Sequence, residues 1–152
     1  VSVDVLAEDD QSDLEVDVDR WRTLLRLTLQ DEGVVAPAEV NLLFVSEARI
    51  AALNLEFMGK AGPTDVLSFP LDDEPFIAAA GMPRMVGDVV ICPAVALRNA
   101  VPNDRKPDDE LALLVVHGAL HLLGWDHQDD ASAELMEDRE RELLWRHNGS
   151  QR

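Results

Sequence analysis

Hydrophobic and polar positions along the chain fall into stretches of two periods. The opening VSVDVL (1–6) alternates and predicts a strand, while the acidic stretch 7–16 predicts a loop. From Asp17 onward, Trp21, Leu24, Leu25, Thr28 and Leu29 recur at helical spacing, with Asp17 or Asp19 as N-cap and Gly33 as stop. AEVNLLFVS (38–46) is rich in strand formers and ends on Ser46, which can cap a second helix running to Gly59. GKAGPT (59–64) reads as a turn. DVLSFPLD (65–72) reads as a strand closed by Pro70, and 73–85 as a loop. VGDVVICP (86–93) is the clearest strand, ended by Pro93. A short helix (94–100) and a polar connection (101–110) follow, with Asp108 or Asp109 as the expected cap of the next helix. That helix, ELALLVVHGALHLLG (110–124), is apolar on nearly every face and should be buried. An amphipathic helix, ASAELMEDRERELLWRHN (131–148), comes last, and Trp21 and Trp145 read as helix-face packing.

No internal repeat or boundary interrupts this order. The expectation is an α/β (α+β) fold: a small mixed four-stranded sheet packed by about five helices, in a single domain over 1–152. A chain of this length buries about two-thirds of its unfolded surface, enough for a core without staples. The single cysteine, Cys92, excludes an internal disulfide and reads as a buried strand residue. No run reaches the ~18 apolar residues of a membrane span, and the acidic start lacks the basic beginning of a signal peptide. A cytoplasmic protein with no membrane partner, monomeric by default, is expected.

Charge narrows the function classes. Thirty acids against thirteen bases give −17, and eight of the acids precede the first base, Arg20. Such a surface repels phosphate at long range, so any nucleic-acid function must rest on a local basic or metal-centred site. Lys60, Arg84, Arg98, Arg105 and Lys106 fall on or near the predicted loops and short helix, and are the candidates for RNA phosphate contacts.

HGALHLLGWDH (117–127) holds three of the four histidines. His117 and His121 lie four apart, on one helix face. Gly124 can end the helix and let the chain double back, so that His127 completes three nitrogen ligands: His117, His121 and His127. Three imidazoles buried without a common partner would be costly. Three protein ligands leave a fourth position open, the catalytic pattern for Zn2+, although other divalent transition metals also take imidazole. The ligand spacing and the glycine match the metzincin protease pattern H-E-x-x-H-x-x-G-x-x-H, which makes a metzincin-like histidine helix the expected scaffold. The glutamate that serves those proteases as general base is replaced here by Gly118. A metal at this site keeps its Lewis acidity.

The same segment resembles the H-G-x-L-H-L-x-G-[YW]-D-H signature of the YbeY family of bacterial rRNA maturation factors. GPTDVLSFPLD (62–72) is similar to that family's P-T-D-V-L-S-F-P strand, and GDVVIC (87–92) to its G-D-[IV]-x-I-[SC] strand. The resemblance covers residues from about 40 to 147. It implies a single-strand-specific, metal-dependent endoribonuclease acting in 16S rRNA 3′-end maturation and ribosome quality control. Ribosomal RNA and the small ribosomal subunit are then the partners. One zinc-type ion would sit on His117, His121 and His127, and His117 is the catalytic candidate. Many members carry an arginine where this chain has Met58 in FMGKAGPTD, which leaves Lys60 as the nearest substitute. Lys60 can contact phosphate or be a solvated loop lysine. Asp126 can orient an imidazole or cap a turn, and Ser68 can bond substrate or backbone. Trp125 can stack on a base or pack into the core.

Two other readings remain open. A zinc-dependent peptidase of metzincin-like geometry is disfavoured by Gly118. A non-catalytic ribosome-associated factor with a structural zinc is disfavoured by the open fourth position.

Overall fold

Residues 38–45 alternate between deeply and partly buried side chains, the signature of a strand covered on both faces. The structure, a computed structural model describing residues 2–71, 82–126 and 128–148, places this segment inside a four-stranded sheet. The elements run β1 (Val3–Asp10), α1 (Val18–Asp31), β2 (Ala38–Val45), α2 (Glu47–Met58), β3 (Val66–Pro70), β4 (Arg84–Ile91), α3 (Pro93–Ala100), α4 (Pro107–Leu122) and α5 (Asp130–His147). The sheet order is β1-β2-β4-β3. The first three strands are parallel, and β3 is antiparallel to β4 at one edge. A mixed four-stranded sheet with five helices is what the periodicities predict.

Two boundaries differ from expectation, for identifiable reasons. β1 continues as far as Asp10 into the acidic stretch predicted as loop, pairing from Val3 opposite Ala38 to Asp10 opposite Val45. Backbone pairing with β2 decides this. The outer side of an edge strand tolerates Glu8, Asp9 and Asp10, and their charge discourages a second chain from adding there. α4 begins at Pro107, with Lys106 in the N-cap position, so neither Asp108 nor Asp109 is its cap. Proline at the first helical position has no amide hydrogen to leave unsatisfied, and the acids at 108–110 then sit in the first turn, where the helix dipole favours them. The loop expected at 73–85 lies outside the described residues up to 81; Arg84 and Met85 belong to β4.

The larger core lies between the sheet and α1, α4 and α5. It includes Leu25, Leu29, Phe44, Val115, Ala119 and Leu143. The opposite face buries Val45, Ile50, Leu67, Val90, Cys92 and Val95, under α2 and α3. Trp21 is 1% exposed, as its helix face requires. Trp145 is 64% exposed, so it lies outside the core that its helix spacing suggested. Burial pushes the Cys92 thiol above its ordinary range.

Candidate metal centre and cleft

α4 is buried along most of its length, but His117 and His121 lie on the side that escapes burial. Their rings are 4.5 Å apart, centroid to centroid, at 79°. The two Nε2 atoms stand 3.0 Å from each other. Behind them, His117 Nδ1 lies 2.5 Å from Oε2 of Glu140 on α5. Glu140 is 7% exposed and, with Glu110, is one of two buried carboxylates among the described residues. An ionised carboxylate only accepts hydrogen bonds, so this contact suits the neutral tautomer with its proton on Nδ1, which leaves a lone pair on Nε2.

That arrangement fits a metal ion. Two nitrogens bonded at about 2.0–2.1 Å in a tetrahedral shell stand roughly 3.3 Å apart, close to the separation here. A carboxylate on the far nitrogen of a ligating histidine is the usual support for such a ligand. Among the described residues no group of three His, Cys, Asp or Glu gathers as a metal site; the third expected ligand, His127, lies outside them. The turn that leads to it is described. The Gly124 amide donates to the His121 carbonyl at 3.1 Å and the Trp125 amide to the Leu120 carbonyl at 3.0 Å. Gly124 has φ +96°, a left-handed conformation that glycine adopts without strain. The Trp125 indole donates to Glu32 Oε1 at 2.9 Å. Glu32 also accepts from Arg139 Nε at 2.6 Å, so the end of α1 holds both the turn and α5.

Gly118 faces the sheet. A Cβ there would stand 2.7 Å from Val89 Cγ1 and 3.3 Å from Ser68 Oγ. Its carbonyl accepts from Ser68 Oγ at 3.0 Å, so the Ser68 hydroxyl is bonded to backbone. The position that carries a glutamate in the metzincin pattern is used here for close approach of helix to sheet.

Beside the histidines runs a cleft of about 670 Å³. Met58 and Lys60 stand on one wall, Ser68 and Pro70 of β3 along its length, and Trp125 and Asp126 at the end of α4. A smaller pocket of about 310 Å³ lies on the Glu140 side of His117. Of the basic candidates, Lys60 is in the cleft. Arg98 forms a two-pronged ion pair with Glu47, whose carboxyl the arginine holds below its ordinary range. Arg105 binds Glu110 at 2.8 Å, and Lys106 stands exposed at the start of α4. Asp126 accepts the Gln128 amide at 3.0 Å, an arrangement that closes the turn. The carboxylate that does reach an imidazole is Glu140.

Sequence reasoning missed Glu140 and Glu32. Glu140 had a signal. Met136, Glu140 and Leu143 are the buried residues of α5, at helical spacing, so an acid occupies an apolar-face position. Glu32 had none, because its partners are 93 and 107 residues away.

A family profile described as Endoribonuclease YbeY matches residues 6–148. The chain belongs to that family. Relatives carrying the same description include one from Salinispora tropica, 42% identical over 86% of this chain and 84% of its own length. Another, from Thermobifida fusca, is 41% identical over 96% of this chain and 95% of its own. Among solved structures, the solution structure of TM1509 from Thermotoga maritima shares the fold with a TM-score of 0.61 and 28% identity, covering 97% of this chain and 90% of that one. Family membership makes the chain an RNA-cleaving enzyme acting in 16S rRNA 3′-end maturation and ribosome quality control. Among the described residues, no helix is long and apolar enough to cross a membrane.

Proposed function

We propose that this endoribonuclease cuts single-stranded RNA at a zinc centre held by His117, His121 and His127. The observation that carries this reading is the pair of Nε2 atoms 3.0 Å apart, one of them fixed as an acceptor by Glu140. When bound, the ion supplies Lewis-acid stabilisation for charge developing on the phosphodiester. The chain's own groups do the rest. His117 and His121 project into the cleft from a rigid buried helix, which holds their spacing without help from substrate. Glu140 keeps the His117 proton on Nδ1, away from the ligand-facing nitrogen. Lys60 offers an ammonium to a phosphate lying in the cleft. Glu32 holds the turn from which His127 follows. Ser68 and Asp126 are bonded to backbone and position helix and turn. Gly118 argues against the peptidase alternative, since the sheet occupies the space a glutamate side chain would need.

A cleavage assay on protein of known metal content tests this. Wild type and His117→Ala are compared on a single-stranded oligoribonucleotide, a hairpin of the same composition and a casein peptide. Single-stranded RNA should be cut by the zinc-loaded wild type alone. Cleavage by metal-stripped protein or by His117→Ala rejects the zinc centre. Peptide cleavage without RNA cleavage rejects the whole reading.

A further inference from the structure

An enzyme with a net charge of −17 gains little from long-range attraction to RNA. Two of its candidate phosphate contacts are engaged elsewhere, Arg98 with Glu47 and Arg105 with Glu110. Lys60 lines the cleft, and a contact that needs no phosphate would add to what it can hold.

Phe57 lies on the sheet-facing side of α2, three and seven residues after Asn54 and Ile50, the buried positions of that helix. Such a position normally ends in the core. Here the sheet stops beneath it, because β3 is the edge strand, and Phe57 is 59% exposed. The ring is braced. Phe69 of β3 meets it edge-to-face, with centroids 5.4 Å apart at 72°. In that geometry one ring's edge meets the other's face, so at least one face of Phe57 stays uncovered by its partner. Neither ring lines the cleft itself, but both lie next to residues that do, and Leu67, on the same face of β3 as Phe69, is one of them. Met58 and Lys60 follow Phe57 in the chain, Ser68 and Pro70 flank Phe69, and all four line the cleft with His117 and His121.

We propose that Phe57, braced by Phe69, is a stacking platform for one unpaired nucleobase of the RNA strand whose backbone crosses the cleft. This rests on the RNA-cleavage reading above. A base face is a ligand that an acidic protein can bind without attracting phosphate, and every base has one. In a duplex those faces are covered by neighbouring bases, so the platform accounts for a preference for single strands.

The test is a cycle between the protein ring and the substrate base. Wild type, Phe57→Leu and Phe57→Trp, zinc-loaded, are assayed on a single-stranded oligoribonucleotide and on a set carrying one abasic residue at each position in turn. Leucine keeps an apolar contact with Phe69 but has no π-face. Phe57→Leu should raise KM by about 5- to 150-fold, the range of one base–aromatic stack, with kcat nearly unchanged. Phe57→Trp should stay near wild type. At one position, an abasic residue should bring wild type to the level of Phe57→Leu and cost Phe57→Leu nothing more. The salt dependence of KM should be the same for all three, since no phosphate contact changes. Wild-type KM in Phe57→Leu, or equal losses in both proteins at every abasic position, overturns the platform. Wild type that cuts no single-stranded RNA overturns the cleavage reading itself, a different outcome.

Discussion

A methyl group at position 118 would meet Val89 Cγ1 at 2.7 Å, a distance that real Cβ atoms do not tolerate. Gly118→Ala should therefore force α4 away from the sheet and cost about 1–3 kcal/mol of stability, the usual range for overpacking. Urea denaturation checks it, and a cycle with Val89→Ala should show the two changes to be strongly coupled. Free additivity would mean that the helix does not rest on Val89. The sequence shows Gly118 as a missing glutamate; the structure shows it as a contact surface. At Glu140 the reverse holds, for an acid on the amphipathic last helix lies against the His117 imidazole. Glu140→Ala should weaken zinc binding by about 10- to 100-fold in a chelator competition, with no RNA present. Glu140→Gln, whose amide oxygen still accepts from Nδ1, should lose less. An unchanged zinc affinity in both would assign Glu140 to packing alone.

Two helices meet where these residues act. The end of α1 grips α5 through neighbouring carboxylates, Glu32 on Arg139 and Asp31 on His147 and Arg146. Glu32→Gln leaves one of two donors poorly matched, and hydrogen bonds to a charged group contribute about 1.5–3 kcal/mol each. The variant should melt earlier and should shift Trp125 fluorescence, since the indole is the other donor. The His147 hydrogen bond, with Arg146 beside it, holds the Asp31 carboxyl below its ordinary range. A lowered folded value means that the contribution is complete above the unfolded aspartate value of about 4 and is lost as pH falls through the lowered one. Acid titration should show wild type and Asp31→Asn converging in stability below that point, with wild type ahead at neutral pH. These elements were mostly legible. Period and caps start α1 at Asp17 or Asp19, of which Asp17 is the cap, and α2 at Ser46, because both caps act within three residues. The length of β1 was not legible, since a partner strand more than thirty residues away sets it. The α1–α5 grip was hidden for the same reason.

On the scale of the whole molecule, charge and site pull apart. The candidate site was readable because His117 and His121 sit one helical turn apart in one short segment. The cleft was not, because it is assembled from α2, β3 and α4, and only folding shows that Lys60 is in it while Arg98 and Arg105 are paired. Few phosphates are then neutralised. The slope of log affinity against log salt should be shallow for single-stranded RNA, at about 0.7 per phosphate contacted. Lys60→Ala should flatten it by roughly one contact. An unchanged slope would place Lys60 in solvent. The carboxylate that orders His117 is made 23 residues after it. Synthesis runs from the N-terminus, so His117 and His121 leave the ribosome before the helix that carries Glu140. A chain that has grown only as far as His127 therefore carries these histidines without the acid that lies against His117 in the folded protein.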